Sequence, residues 1–136
     1  CEGVIMKYQL HDCEIDAIVL ENNRIIFSFP GGFYVTDENG QELAPLRNKL
    51  VFVIDKETNE SLESYVSVRR IKRGRRGWKE ISFKQFCSLF KKGNMVIHDE
   101  YDSKLTNWKM FQLNAGTNWS NIELFITDIL DIEFLE

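Results

Sequence analysis

Short apolar runs separated by turn-forming residues fill the first half of the chain and favour an antiparallel sheet. Residues 13–30 hold two such runs joined by Glu21-Asn22-Asn23, and asparagine tolerates the left-handed backbone of a tight hairpin. A further reversal is expected at residues 37–40, which end in Asn-Gly, a strong hairpin signal. Because every connection is short, consecutive strands should be neighbours in a meander.

Prolines and one fully apolar run refine this expectation. Pro30-Gly31-Gly32 is predicted to stop the second strand, so that Phe33 to Thr36 starts a third. Pro45 should confine the next strand to a sheet edge or end it, since proline cannot donate a ladder hydrogen bond. Leu50 to Ile54 is apolar at every position, which predicts the most buried strand of the sheet.

One amphipathic helix is predicted from Phe83 to Lys92. Ser82 and Gln85 have the spacing of a capping box, and Gly93 is placed to end the helix. One apolar face results from the spacing of Phe83, Phe86, Cys87 and Phe90. The helix should therefore lie on one face of the sheet, with Cys87 as a core residue.

The remaining segments favour further strands at residues 95–97, 108–113 and 122–135, with turns at 115–118 and near Asp128. A chain of 136 residues is long enough to bury a substantial core without disulfides or metal. We therefore predict one domain over residues 1–136. Its class is α+β: a mainly antiparallel sheet, sandwich or half-barrel with one helix packed on it.

Composition limits the setting of the protein. Three cysteines, Cys1, Cys13 and Cys87, form no CxxC pair, which favours a reducing compartment and hence the cytoplasm. No run approaches the roughly 18 apolar residues of a membrane-spanning helix. Met6 resembles a natural start, so residues 1–5 are expected to be an expression or leader remnant. No cofactor or metal site is predicted.

Residues 66–79 predict a positively charged hairpin in a chain of net charge −4. Its cations are Arg69, Arg70, Lys72, Arg73, Arg75, Arg76 and Lys79, and Trp78 lies beside them. An acidic protein partner would complement this charge. Nucleic acid is the alternative partner, although the pI of about 5.3 is low for a nucleic-acid-binding domain. For the hairpin taken alone, the preferred interpretation is a solvated edge that charge keeps from aggregating.

Each histidine is followed by an aspartate, in His11-Asp12-Cys13 and in His98-Asp99-Glu100. A hydrolase would bring His11 and His98 together as a metal site, or pair Cys13 with His98 as nucleophile and base. Successive strand residues point to opposite faces, so one pair could serve one site only at a bulge. The preferred interpretation is solvated polar groups at strand ends.

The chain also resembles a group of small bacterial proteins. The motif LHDCEI at residues 10–15, followed by IIFSFPGGFYV at residues 25–35, looks like the start of proteins among which toxin-immunity proteins of polymorphic toxin systems are frequent. The resemblance covers about the first 36 residues. It implies an α+β, non-enzymatic protein that covers the active site of a toxin, and it assigns no site residue.

These observations lead to three functional hypotheses, given in order of preference. The first is a non-enzymatic protein-binding module, an immunity or regulatory protein that occludes a partner through complementary charge. Its predicted binding residues are Arg69, Arg70, Lys72, Arg73, Arg75, Arg76 and Trp78. The second hypothesis is nucleic-acid binding through the hairpin, and the third is a hydrolase that uses His11 and His98.

Overall fold

A computed structural model describes residues 7–71, 77–103, 107–115 and 120–136. In these ranges the elements are β1 (Lys7–Tyr8), β2 (Glu14–Ile15), β3 (Ala17–Glu21), β4 (Arg24–Thr36), β5 (Glu42–Ile54), β6 (Val66–Ile71), β7 (Lys79–Ile81), α1 (Phe83–Ser88), β8 (Met95–Ser103), β9 (Trp108–Ala115), β10 (Ser120–Ile126) and β11 (Ile129–Leu135). Short 3-10 turns cover Leu62–Tyr65 and Leu89–Lys92. None of the helices in these ranges has the length and apolarity to cross a membrane.

The strands form two antiparallel sheets. Sheet A has the order β1-β4-β5-β11, with β3 also paired to β4, and it curves into a half-barrel. Sheet B has the order β2-β8-β9-β10-β6-β7. Strands β3, β4 and β5 pair in sequence order, as predicted for a meander, whereas β1 pairs with β4, β2 with β8 and β6 with β10. The predicted α+β class is confirmed.

The core lies between the two sheets and is rich in phenylalanine. Phe27 of β4 lies with its ring centroid 5.4 Å from that of Phe52 on β5, and 5.1 Å from that of Phe111 on β9. All three side chains are fully buried. Since Phe27 and Phe52 belong to sheet A and Phe111 to sheet B, these ring contacts hold the sheets face to face.

The prediction that Pro30-Gly31-Gly32 ends a strand is wrong. β4 runs from Arg24 to Thr36 without a break, and its register with β5 shifts between Ser28 and Phe33. Pro30 therefore lies in an irregular part of the ladder, where its missing N–H leaves no regular pair unmade. Gly32 has φ +73°, and a Cβ there would meet the side chain of Leu46 at 2.6 Å.

The buried run expected at Leu50 to Ile54 is confirmed, whereas Pro45 neither ends β5 nor makes it an edge strand. Within the described ranges β11 pairs only with Lys49 to Ile54, so Pro45 lies in a part of β5 that has no described neighbour on that side. Leu50 to Ile54 lies between β4 and β11, and four of its five side chains are buried. Proline is thus tolerated beyond the end of that pairing, and the apolar run occupies the interior.

The helix begins with the predicted capping box. The Gln85 backbone N–H donates to Ser82 Oγ at 3.1 Å, and the Ser82 N–H donates to Gln85 Oε1 at 3.0 Å. Phe86 is fully buried, and the half-buried Cys87 thiol donates to the carbonyl of Ile18 on β3 at 3.8 Å. α1 also contacts β6, so it packs beside strands of both sheets.

Replacing Phe86 by alanine should lower the free energy of unfolding by about 3–5 kcal/mol, because the ring is fully buried and leaves a cavity. Urea denaturation followed by circular dichroism measures this change. Lys84→Ala on the exposed side of the same helix is the control, and its midpoint should stay close to that of the wild type. A Phe86→Ala midpoint equal to the control's would contradict the packing of α1.

Candidate functional site

The root of the predicted basic hairpin is formed as expected, but its first arginine is not a free cation. β6 and β7 pair with Arg69 opposite Glu80, and β10 places Glu123 on the other side of Arg69. Arg69 Nε donates to Glu123 Oε1 at 2.7 Å. The Arg69 guanidinium also lies 5.1 Å from the Trp78 ring centroid and 4.7 Å from that of Phe125. Its charge is therefore matched and its position fixed.

The structure places the other predicted hairpin residues only in part. Arg70 is half-buried, and its Nε atom is shielded from solvent with no hydrogen-bond acceptor in the described ranges. Trp78 is 58% exposed. Of the five remaining hairpin cations, Lys79 lies opposite Arg70 and is exposed, whereas Lys72, Arg73, Arg75 and Arg76 lie outside the described residues.

The strand register shows which residues lie beside Arg69 on the outer side of sheet B. Residues opposite one another on neighbouring strands share a face of the sheet. One row consists of Glu80, Arg69, Glu123, Gln112 and Asp99, and the next row consists of Ser67, Phe125, Met110 and Tyr101. The alternate positions of the same strands carry core residues such as Val68, Leu124 and Phe111. Both rows therefore face away from the core.

We define the aromatic face as Arg69, Trp78, Tyr101, Trp108, Met110 and Phe125. Tyr101 is 45% exposed, and the half-buried rings of Trp108 and Phe125 lie 6.4 Å apart. These side chains come from five strands or their immediate ends, so sequence reasoning missed the face. The available signal was that Trp108 and Met110 alternate with the core positions of β9.

A second cluster lies at the edge of sheet B, where the two histidines meet. The ring centroids of His11 and His98 are 6.0 Å apart. His11 Nδ1 lies 2.6 Å from the carbonyl oxygen of His98, and because that oxygen only accepts, Nδ1 is the donor. The register of β8 shifts between Ile97 and Asp99, which is the bulge that a shared site would need.

A cavity of about 320 Å³ opens beside His11. It is lined by Gln9, Leu10, His11, Ile97, Asp99 and Glu100. Asp99 accepts hydrogen bonds from the Glu100 N–H at 2.9 Å and from the Tyr101 hydroxyl at 3.0 Å. These two hydrogen bonds hold the pKa of Asp99 below its usual range, and the bond from the Glu100 backbone has the larger effect. The Asp99 carboxylate is therefore charged at neutral pH.

A buried ionic group lies behind this cavity. Lys109, only 8% exposed, donates to Glu100 Oε1 at 3.2 Å and to the hydroxyl of Tyr8. Glu100 Oε2 is shielded from solvent and has no donor in the described ranges. Burial raises the pKa of Glu100 and outweighs the opposing effect of Lys109. Burial likewise raises the pKa of the Tyr8 hydroxyl.

The cluster offers polar contacts but no activated thiol. Cys13 Sγ donates to the carbonyl of Gln9 at 3.7 Å. Burial, and then the charge of Asp12, raise the pKa of the Cys13 thiol, so the thiolate is disfavoured. Among the residues that the structure describes, no three His, Cys, Asp or Glu side chains are grouped so as to hold a metal ion.

Comparison with other proteins leaves the geometry as the guide to function. No protein-family model, curated protein or solved structure matches the chain.

Glu100 should make stability depend on pH. Folding raises the pKa of the Glu100 carboxyl above its ordinary value of 4.5. As the pH rises above 4.5, the unfolded chain releases this proton before the folded chain does, so the folded state loses stability over that pH range. Glu100→Gln removes this loss, and the stability of the variant relative to the wild type should increase with pH across that window. Urea unfolding at several pH values measures the difference.

Glu100→Gln also alters the contact with Lys109, and this part of the change in unfolding free energy does not depend on the protonation of Glu100. The way the difference between variant and wild type varies with pH is therefore what tests the raised pKa. Glu80→Gln, which alters an exposed carboxylate on the same sheet, is the matched control. A Glu100→Gln difference that is flat from pH 4 to 8, or that falls with pH, would contradict the assignment.

Proposed function

We propose that this protein is a protein-binding module that docks a second protein on the aromatic face. The observation that carries the proposal is the arginine at its centre, flanked by two aromatic rings and ion-paired with the 8%-exposed Glu123. Arginine, tryptophan, tyrosine and methionine are enriched where protein interfaces are most tightly packed. All four types occur together on this face.

The arrangement is suited to binding because its central side chain is already ordered. An arginine that is mobile in the free protein loses rotamer freedom when a partner fixes it, which costs about 0.5–1.5 kcal/mol of affinity. Glu123, Trp78 and Phe125 hold Arg69 before any partner arrives. Trp78 and Tyr101 nevertheless remain about half exposed, so each retains apolar surface for a partner to cover.

The charges on the same rows favour a partner with a basic surface. Asp99, Glu80 and Glu123 face outward with Arg69, so carboxylates outnumber cations in the described part of this side of the sheet. Opposite charges across an interface speed association and exclude partners of the wrong sign. The acidic partner expected from the sequence depends on cations that lie outside the described residues, and it stays a prediction.

The other functional hypotheses keep their status as predictions. Nucleic-acid binding requires the same undescribed hairpin residues. The hydrolase gains the proximity of His11 and His98. The toxin-immunity role is one form that protein binding could take, and it rests on the resemblance alone.

Truncating the exposed aromatic residues should weaken partner binding. Trp78→Ala and Tyr101→Ala should each cost about 2 kcal/mol, or roughly 30-fold in Kd, as expected for central aromatic residues of an interface. The partner is first captured from a lysate of the source organism with the wild-type protein, then identified and purified. Isothermal titration calorimetry with the purified partner then gives Kd for each variant.

Tyr34→Ala is the matched control, because Tyr34 is 53% exposed but lies on sheet A. Its Kd should equal that of the wild type, and thermal melting should show that all variants fold. Wild-type affinity in both Trp78→Ala and Tyr101→Ala would overturn the proposal. An equal loss in Tyr34→Ala would place the interface elsewhere.

A further inference from the structure

We infer that the cavity beside His11 receives one basic side chain of the bound protein, a guanidinium or ammonium group on an aliphatic stem. The inference rests on the proposed function and names the group that the cavity would recognise. Asp99 lies in the cavity wall and also in the outer row of sheet B, and its carboxylate accepts from Tyr101 of the aromatic face. A partner covering that face would therefore lie beside Asp99 and could extend a side chain to the cavity.

The walls of the cavity suit an aliphatic stem. Leu10 is 3% exposed and Ile97 is fully buried, so their side chains form apolar lining that belongs to the protein core. Arginine and lysine commonly bury their methylene groups along such surfaces while the charged end reaches a polar partner. A volume of about 320 Å³ is at the small end of the range for ligand sites, which is adequate for one long side chain.

The polar groups of the lining favour a donor that carries positive charge. Glu100 Oε1 accepts from Lys109, whereas Oε2 is shielded and has no donor in the described ranges. The accessible, charged acceptor of the lining is Asp99, whose side chain is exposed and whose carboxylate is ionised at neutral pH.

The charges around the cavity disfavour an anionic ligand. Lys109 is the cation that contacts Glu100, while Asp99 lies in the wall and Asp12 lies 3.4 Å from His11 Nε2. An anion entering the cavity would meet these carboxylates. The hydrogen bond from His11 Nδ1 to the His98 carbonyl also keeps that ring nitrogen from donating to an anion.

The test uses ethylguanidinium as the ligand and ethylurea as its neutral counterpart of the same shape. We expect saturable shifts of the Leu10, His11, Ile97 and Asp99 amide signals in 1H–15N spectra with ethylguanidinium, and none with ethylurea. Asp99→Asn should weaken ethylguanidinium binding about tenfold, as loss of a charged hydrogen bond predicts. Glu42→Gln, which changes an exposed carboxylate on sheet A, should leave it unchanged.

The purified partner then distinguishes a side chain from a free small cation. Ethylguanidinium should compete with the partner, and Asp99→Asn should weaken partner binding, if a basic side chain occupies the cavity. Saturable ethylguanidinium binding without competition would overturn the side-chain assignment. Equal shifts with ethylurea, or unchanged binding in Asp99→Asn, would overturn recognition of the cation.

These outcomes separate the inference from the function on which it rests. If ethylguanidinium fails to bind while Trp78→Ala still weakens the partner, the cavity assignment is wrong and the aromatic face stands as the docking surface. If ethylguanidinium binds while neither Trp78→Ala nor Tyr101→Ala weakens partner binding, the proposed docking surface is wrong.

Discussion

The contact of Phe27 and Phe52 with Phe111 is the interaction on which the rest of the structure depends. These rings join the two sheets, and every outward row described above owes its direction to the inward direction of such residues. Because strand side chains alternate, fixing Phe111 inside places Met110 and Gln112 outside. The burial of apolar surface, which contributes roughly 25 cal/mol per Å², thus decides which side chains face outward as well as which form the core.

Register shifts occur at several points of the described ladders, and two of them bear on the features above. The shift between Ser28 and Phe33 allows β4 to continue past a proline and two glycines. The shift between Ile97 and Asp99 lets Ile97 stay in the core while Asp99 and Tyr101 face outward beyond it. The second bulge therefore brings a carboxylate to the cavity and a tyrosine to the aromatic face. A regular strand would place Asp99 on the core side with Ile97.

The two ion pairs of sheet B serve different surroundings. Arg69 and Glu123 meet on the outer side, where flanking rings reduce contact with water, and the pair organises a surface. Lys109 and Glu100 meet on the inner side, where burial raises the pKa of the carboxyl despite the ammonium. In the second pair one oxygen of Glu100 remains without a donor in the described ranges. The inner pair is consequently the less completely hydrogen-bonded of the two.

The sequence by itself determined the local features: the helix cap at Ser82, the Asn22 and Asp128 turns with positive φ, and the buried run from Leu50. These depend on neighbouring residues, whose conformational preferences act over a few positions. Only the tertiary structure decided that β4 continues through a register shift instead of ending, that Glu123 neutralises Arg69, and that His11 meets His98. Those outcomes depend on which distant strands pair and in which register, and that choice is made by burying the whole apolar surface at once.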